Sequence, residues 1–201
     1  MKLEKTSRDA PVIGGDPSMG VVVLKEFISP IEQSELRKTA ELYRKTGVLE
    51  PIQAGPFRFS RSINGTEYCN ALITSIGERV IKSFGLGAFQ IDPYLGWLVS
   101  YIEPGGFIHP HFDRQPLYME TDKQHLRCNL MVSNGGSPAD PIIDGRPFRV
   151  EERSLWAFFP SHLEHRTYPN GGPGPRIVYQ FGFAAPGHYR MPTFKAKLVM
   201  E

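Results

Sequence analysis

From about residue 94 onward, the sequence is divided into short segments in which strand-forming residues dominate and apolar and polar residues alternate. Alternation with period two is typical of a β-strand that has one buried face. The 20 glycines and 18 prolines of the chain leave little room for long regular elements. This half of the chain is therefore predicted to form a β-sandwich or barrel. The predicted strands are LGWLVSYI, HLRCNLMVS, GRPFRVEE, SLWAFFP, EHRTY and RIVYQFGF.

The first part of the chain has the pattern of one strand followed by two helices. Residues 21–24 are a β-branched run that predicts a strand. Residues 29–45 begin with a serine and a proline, and a glutamate follows three residues after the serine, which predicts a capped helix. Helical spacing of apolar residues predicts a second helix from Thr66 to Phe84, ended by Gly85. The expected fold class is α+β, mainly β, with these N-terminal helices packed outside the sheet.

Length and charge restrict the organisation and the partners of the chain. The 201 residues favour a single domain, which we expect over residues 19–201, after a polar lead-in of residues 1–18 that need not be ordered. The 23 basic side chains balance 21 acidic ones, which argues against a nucleic-acid partner or a membrane-surface partner. We predict a small-molecule or peptidyl substrate; nothing in the sequence indicates the oligomeric state.

Hydropathy and cysteine content indicate the compartment. No apolar run approaches the roughly 18 residues that a membrane span requires. The chain has only two cysteines, Cys69 and Cys128, so a disulfide framework is not expected and a reducing compartment fits. A cytoplasmic location is the resulting prediction.

The sequence His111-Phe112-Asp113 is the most informative motif. On a strand, residues two apart point to the same side, so His111 and Asp113 could bind one cation together. His165 follows an apolar strand and a Pro-Ser bend, and it would reach the pair if the two strands were neighbours. Two histidines and one carboxylate on one face of a metal are the ligand set of non-haem Fe(II) oxygenases.

Other histidines compete for the metal. His109 has the same strand parity as His111, and His162 is an alternative to His165. We favour the set without them, because Pro110 separates the first pair and His162 lies further from the next strand. His125 and His188 are assigned to the surface or the core. Arg114 either binds a substrate carboxylate or is a solvated surface arginine.

Two predicted strands, HLRCNLMVS and RIVYQFGF, each have one polar face. Arg127 and Asn129 share such a face on the first strand, and Arg176 begins the polar face of the second. A polar face either meets solvent or lines the interior of a ligand-binding barrel. Both possibilities stay open for the first strand. For the second we favour the interior, because Arg176 would lie where it can bind a carboxylate beside the metal.

The segments SYIEPGGFIHPHFD, LRCNLMVS, LWAFFPSHLEHRTYP and PRIVYQFGF resemble the Fe(II)/2-oxoglutarate-dependent oxygenases, most closely the prolyl-4-hydroxylase-like group. The resemblance extends roughly from Trp97 to Ala184 and rests on the order H-x-D, then His, then Arg. It implies a double-stranded β-helix, which is a distorted jelly roll with iron at one end.

The resemblance also implies a role for each residue that carries it. His111, Asp113 and His165 would bind Fe(II), and Arg176 would form the salt bridge to the distal carboxylate of 2-oxoglutarate. Tyr101 would donate a hydrogen bond to that same carboxylate. Two further residues, on the strand that often contacts the cosubstrate or the substrate in this family, are Asn129 and Arg127.

The activity implied is O2-dependent hydroxylation of an unactivated C–H bond, in an amino-acid-like small molecule or a peptidyl residue, with release of succinate and CO2. Two alternatives stay open. A zinc hydrolase could use the same two histidines and carboxylate to activate water. A non-catalytic jelly roll that binds a metal or a small ligand is the other.

Overall fold

The computed structural model describes residues 13–14, 20–136 and 140–192, with only the backbone of residues 13–14. All structural statements below refer to these residues. In chain order the elements are β1 (Ile13–Gly14), β2 (Val22–Leu24), α1 (Pro30–Lys45), β3 (Glu50–Pro51), β4 (Arg58–Ser62), α2 (Ala71–Phe84), β5 (Gln90–Ile91), β6 (Trp97–Ile102), α3 (Pro116–Glu120), β7 (Lys123–Asn134), β8 (Pro141–Ile143), β9 (Arg146–Pro147), β10 (Leu155–Phe158), β11 (His165–Thr167) and β12 (Arg176–Pro186).

One large antiparallel sheet forms the frame of the molecule. Its strand order is β1-β2-β10-β7-β12-β6-β4-β3, and β5 also pairs with β12. The two longest strands, β7 and β12, pair along their whole length at the centre, with Gln180 opposite Asn129. Side chains of opposite parity on these two strands therefore point to two different layers.

A small sheet of order β11-β8-β9 lies over one end of the large sheet. An apolar cluster joins the two sheets, because Ile143 of β8 packs with Met131, Trp156 and Val178 of the large sheet. Only the short strand β9 forms from the predicted segment GRPFRVEE, and β8 was not predicted. Both strands are short pieces beside a turn at Gly145, whose φ is 75°.

The two helices pack on the outer face of the large sheet, as predicted. Helix α1 begins with the predicted capping box: Ser29 Oγ accepts from Glu32 N at 3.2 Å, and Ser29 N donates to the Glu32 carboxylate at 2.8 Å. The prediction that the second helix begins at Thr66 is wrong. Asn70 caps α2 by accepting from Ile73 N at 3.0 Å, so the helix starts at Ala71 after a turn.

The main apolar core lies between the helices and the outer face of the large sheet. The predicted apolar face of β7 lies within this core. The opposite faces of β7 and β12 are turned toward the small sheet. The core residues from these elements include Leu36 and Ala40 of α1, Ile73, Ile76 and Val80 of α2, Leu126, Cys128, Leu130 and Val132 of β7, and Tyr179, Phe181 and Phe183 of β12.

The N-terminal segment departs in part from the expected lead-in. Ile13 and Gly14 pair with Leu24 and Val23 of β2, so they extend the large sheet. The rest of residues 1–18 lies outside the described residues. Within the described ranges, no helix combines the length and the apolar character that crossing a bilayer requires.

Gly77 makes the contact between α2 and the sheet unusually close. A Cβ at this position would lie 2.2 Å from the indole of Trp97, which is buried against Phe181. We predict that Gly77→Ala lowers the free energy of unfolding by about 1–2 kcal/mol despite the higher helix propensity of alanine, because the indole has to move. Urea unfolding measures this, with Ser75→Ala on the exposed side of the same helix as the control. A Gly77→Ala protein as stable as wild type would contradict this packing.

Candidate functional site

His111, Asp113 and His165 come together at one end of the space between the sheets. One potential ligand atom from each lies within 4.8 Å of the others. Asp113 Oδ1 is 3.5 Å from His111 Nε2 and 3.9 Å from His165 Nε2. Backbone pairing produces this geometry, because His111 and His165 form an isolated antiparallel bridge with N···O distances of 3.2 and 2.9 Å.

Hydrogen bonds orient both imidazoles toward a common point. His111 Nδ1 lies 2.7 Å from its partner, the carbonyl oxygen of His109, and His165 Nδ1 lies 3.2 Å from the carbonyl oxygen of Leu163. A carbonyl only accepts, so each Nδ1 carries a proton and each Nε2 is the nitrogen left to bind a metal. Two imidazole Nε2 atoms and one carboxylate oxygen form a donor set that suits a divalent transition metal.

The environment of His165 holds its imidazole in the neutral form. Burial, followed by the positive charge of Arg127 and by the nearby His111, lowers the pKa of His165 to about 2. His165 Nε2 has no hydrogen-bond partner among the described residues, although it is buried. A buried acceptor without a partner is costly, and a metal ion would supply the missing interaction.

The second carboxylate oxygen of Asp113 is turned away from His111 and His165 and faces the side chains of Arg127 and His125. Arg127 Nη2 lies 2.5 Å from Asp113 Oδ2, and His125 Nδ1 lies 3.5 Å from the same oxygen. The Asp113 backbone N–H donates to Pro160 O at 2.9 Å. These contacts leave Oδ1 as the oxygen that faces His111 and His165. Arg127 thus forms an ion pair with Asp113, and its contact with the cosubstrate stays a prediction.

A cavity between the two sheets opens on His111 and His165. The polar faces of β7 and β12 line this cavity. Both strands therefore turn their polar faces to the interior of the molecule and not to solvent. His165 forms part of the cavity wall on the side of the small sheet. The polar side chains that the large sheet contributes to the wall are those of Arg58, Ser100, Arg127, Asn129, Arg176 and Gln180.

Arg176 lies deep in this cavity with unused donors. The side chain is 2% exposed, and its Nε and Nη1 atoms have no hydrogen-bond partner among the described residues. Burial lowers the pKa of the guanidinium to about 10, and the charge of Asp140 opposes the shift. Asn129 Nδ2 and Gln180 Oε1 are also buried without partners. A buried arginine with its planar fork unpaired is a ready partner for a carboxylate.

The structure places the side chain of Tyr101, which the sequence predicted to contact the cosubstrate, outside the cavity. Its neighbours Ser100 and Ile102 line the cavity, so Tyr101 points to the opposite face of β6 and packs on the helix-side core. Burial raises the pKa of Tyr101, and the charges of Glu41 and Glu103 add to the shift, which is consistent with this outer position.

Arg58 is a cavity residue that sequence reasoning missed. It begins β4, which pairs with β6 so that Arg58 lies opposite Ile102. The side chain is 6% exposed, and its Nε donates to Ser100 Oγ at 3.4 Å. The alternation in the segment RFSRS was the available signal. Five residues between two predicted helices were too few to indicate a strand.

His125 is buried, which is one of the two placements that the sequence left open, although it does not belong to the apolar clusters. It lies between two carboxylates: Nδ1 faces Asp113, and Nε2 is 3.7 Å from Asp92 Oδ2. Tyr118 stacks on its ring with an interplanar angle of 7° and donates to Asp92 Oδ1 at 2.5 Å. Burial, with Arg127 adding to it, lowers the pKa of His125 against the pull of both carboxylates.

The remaining candidates lie outside the cluster. His109 and His162 are both exposed, and His109 packs edge-on against Phe107. Arg114 stacks on Phe112 with its guanidinium carbon 4.2 Å from the ring centre. Arg114 and His162 line a separate surface cavity beside Tyr118, which leaves them adjacent to the metal-binding end of the molecule without contributing ligands.

We predict that one Ni²⁺ or Zn²⁺ ion binds per chain and that His165→Ala and Asp113→Ala each weaken binding by at least about 100-fold, since even changes behind the ligands cost 10–100-fold. Isothermal titration calorimetry measures the affinity. His162→Ala is the matched control and should bind metal like wild type. Loss of binding in His162→Ala with retention in His165→Ala would contradict the assignment.

The lowered pKa of His125 makes stability depend on pH. Below pH about 6.5 the unfolded chain protonates this imidazole while the folded chain resists, so the free energy of unfolding falls by up to about 1.4 kcal/mol per pH unit on this account. We predict that metal-free His125→Phe loses less stability than wild type between pH 7 and 5. Denaturant unfolding at several pH values measures this, and exposed His188→Phe is the control. Equal pH slopes for wild type and His125→Phe would refute it.

Comparison with known proteins shows similarity of structure rather than of sequence. No family model matches this sequence, and no curated protein matches it. A Pseudomonas putida prolyl-4-hydroxylase has the same fold, with a TM-score of 0.60 and 17% identity over 84% of this chain and 94% of the other.

Two further structures bear bound ligands. The viral collagen prolyl hydroxylase of Paramecium bursaria Chlorella virus-1, a 2-oxoglutarate complex, has a TM-score of 0.61 and 13% identity over 83% of this chain and 96% of the other. HygX from Streptomyces hygroscopicus, with nickel, 2-oxoglutarate and hygromycin B bound, has a TM-score of 0.59 and 12% identity over 90% and 89% of the two chains. The predicted double-stranded β-helix is thereby confirmed: the chain has the fold of the prolyl-4-hydroxylases.

Proposed function

We propose that this protein is an Fe(II)- and 2-oxoglutarate-dependent oxygenase that hydroxylates a C–H bond of an amino-acid-like small molecule or a peptidyl residue. The domain that carries this activity would span residues 19–201. The observation that carries the proposal is a juxtaposition: the two histidines of the two-histidine, one-carboxylate cluster line the same cavity as the unpaired, buried Arg176.

The donor set supports iron as the metal. His111 and His165 would each contribute Nε2, and Asp113 would contribute Oδ1, which together form the facial arrangement of non-haem Fe(II) oxygenases with positions left for other ligands. Bound Fe(II) would supply the O2 activation that enzymes of this type couple to the conversion of 2-oxoglutarate into succinate and CO2.

The surrounding residues would bind and orient the cosubstrate. Arg176 would hold the distal carboxylate through its Nε and Nη1 donors, which have no partner in the described chain. Asn129 and Gln180 would offer further polar contacts along the cavity. The apolar walls formed by Trp156 and Phe158 would exclude water from the site, which strengthens each of these interactions.

The proteins of similar structure support the proposal of a 2-oxoglutarate-dependent oxygenase. Prolyl hydroxylases have this fold, and HygX binds nickel and 2-oxoglutarate on it. They also illustrate the range of substrates, because HygX binds hygromycin B while the viral enzyme is a collagen prolyl hydroxylase. We propose that the substrate of this chain enters beside the exposed Arg114 and His162, at the surface cavity next to the metal ligands.

A zinc hydrolase would use the same three ligands but gives no reason for Arg176. A water-activating site requires no buried, unpaired guanidinium in the cavity beside the metal ligands. The presence of that arginine therefore favours the oxygenase, and the two functions differ in a measurable way, because only the oxygenase consumes 2-oxoglutarate.

We predict that the Fe(II)-loaded protein converts 2-oxoglutarate to succinate under air and that Asp113→Ala abolishes this conversion. Arg176→Met should raise the dissociation constant for 2-oxoglutarate by about 10- to 100-fold, because a charge-assisted, bidentate contact is lost. Succinate release and calorimetry are the two measurements. The exposed Arg149→Met is the matched control and should behave like wild type.

The outcomes separate the alternatives. Tight Zn²⁺ binding without any affinity for 2-oxoglutarate would overturn the oxygenase assignment. Binding of 2-oxoglutarate that Arg176→Met leaves unchanged would overturn the role of Arg176. A panel of amino acids and peptides, tested for stimulation of succinate release, would then identify the substrate class.

A further inference from the structure

The cavity contains more positive charge than one distal carboxylate can compensate. Arg58, Arg127 and Arg176 all line it and are 6%, 5% and 2% exposed. Arg127 is paired with Asp113. No acidic side chain is among the residues that line the cavity in the described part of the chain. Two buried guanidinium groups, those of Arg58 and Arg176, thus face the cavity without a salt-bridge partner within the described ranges.

Arg58 occupies a different place from Arg176. The two residues lie on strands separated by β6, with Ile102 paired to both. Arg127 lies opposite Gly182 on β12, well along that strand from Arg176. From its own partner Ile102, Arg58 reaches along β6 to Ser100, to which its Nε donates at 3.4 Å. Ser100 pairs with Val178, which is nearer than Arg176 to the Gly182–Arg127 pair. The Arg58 side chain therefore leans toward Arg127, which binds Asp113 at the metal-binding end of the cavity.

Among the described residues, the side chain of Arg58 is held by one long hydrogen bond, from its Nε to Ser100 Oγ at 3.4 Å. Burial and the neighbouring guanidinium groups lower the pKa of Arg58 to about 10, yet the side chain remains charged at neutral pH. A buried charge without an ionic partner is unfavourable in a folded protein. A ligand that brings a negative charge to this point would remove the penalty.

We infer that Arg58 binds the second carboxylate of the cosubstrate, the one next to the keto group, so that two separate arginines recognise the two ends of a 2-oxo dicarboxylate. This inference rests on the proposed function and adds a residue and a selectivity to it. Arg176 selects for the distal carboxylate, and Arg58 acts on any 2-oxo acid, whether or not a distal carboxylate is present.

A pair of ligands separates the two arginines. The probes are 2-oxoglutarate and 2-oxopentanoate, which has a methyl group in place of the distal carboxylate, titrated calorimetrically into Ni²⁺-loaded protein. Arg58→Met should weaken the binding of both ligands by the same factor, about 10- to 100-fold. Arg176→Met should weaken only the binding of 2-oxoglutarate. Arg61→Met is the control, because this half-exposed residue lies on the same strand but pairs with Glu50 outside the cavity.

The melting temperature of the ligand-free protein is a second measurement that distinguishes a binding role of Arg58 from a structural role. If Arg58 serves to bind an anion, Arg58→Met removes an uncompensated buried charge, and this melting temperature should stay the same or rise. If Arg58 were structural, the melting temperature should fall. The increase in melting temperature caused by 2-oxoglutarate should become smaller than in wild type.

Three results would overturn the inference, and they are distinguishable from failure of the proposed function. Wild-type affinity of Arg58→Met for both ligands would exclude the contact. A loss for 2-oxoglutarate alone would place Arg58 at the distal carboxylate instead. A folded but strongly destabilised ligand-free variant would make Arg58 a structural residue. If wild type itself does not bind 2-oxoglutarate, the proposed function fails, and the inference fails with it.

Discussion

The pairing of β7 with β12 at the centre of the large sheet determines most of what this molecule can do. Because side chains alternate along both strands, one register places Cys128, Leu130 and Tyr179 on the helices and turns Asn129, Arg176 and Gln180 into the space below the small sheet. A slip of one residue would bury the arginine in the apolar core and empty the cavity of polar groups. The apolar core and the candidate site therefore lie on opposite faces of the same pair of strands.

Charge balance is the second constraint. Asp113 binds Arg127 with one oxygen and leaves the other for the two imidazoles, so the carboxylate joins the metal cluster to the basic wall of the cavity. The remaining guanidinium groups, on Arg58 and Arg176, are buried without acidic partners among the described residues. Such an arrangement sacrifices stability for binding, which is common where a site must receive an anionic ligand.

Local patterns in the sequence predicted the features that depend on alternation and capping. The start of α1, the parity of β7 and β12, and the convergence of His111 with Asp113 follow from rules that act over a few residues. The rest of the site could not be predicted, because longer-range packing decides it. Tyr101 faces outward because pairing with β4 and β12 sets the phase of β6. The environment of His125 was missed because Asp92 and Tyr118, its two partners, belong to distant segments.

The proposed function requires one cavity to hold a metal and a dicarboxylate together, and calorimetric titration of 2-oxoglutarate into metal-free and Ni²⁺-loaded protein measures whether it does. If both ligands share the site, binding of one must strengthen binding of the other by the same factor, and we expect at least about 10-fold tighter binding of 2-oxoglutarate after metal loading. Equal affinity in the two forms would contradict it, because the metal cluster and the arginine-lined cavity would then be independent.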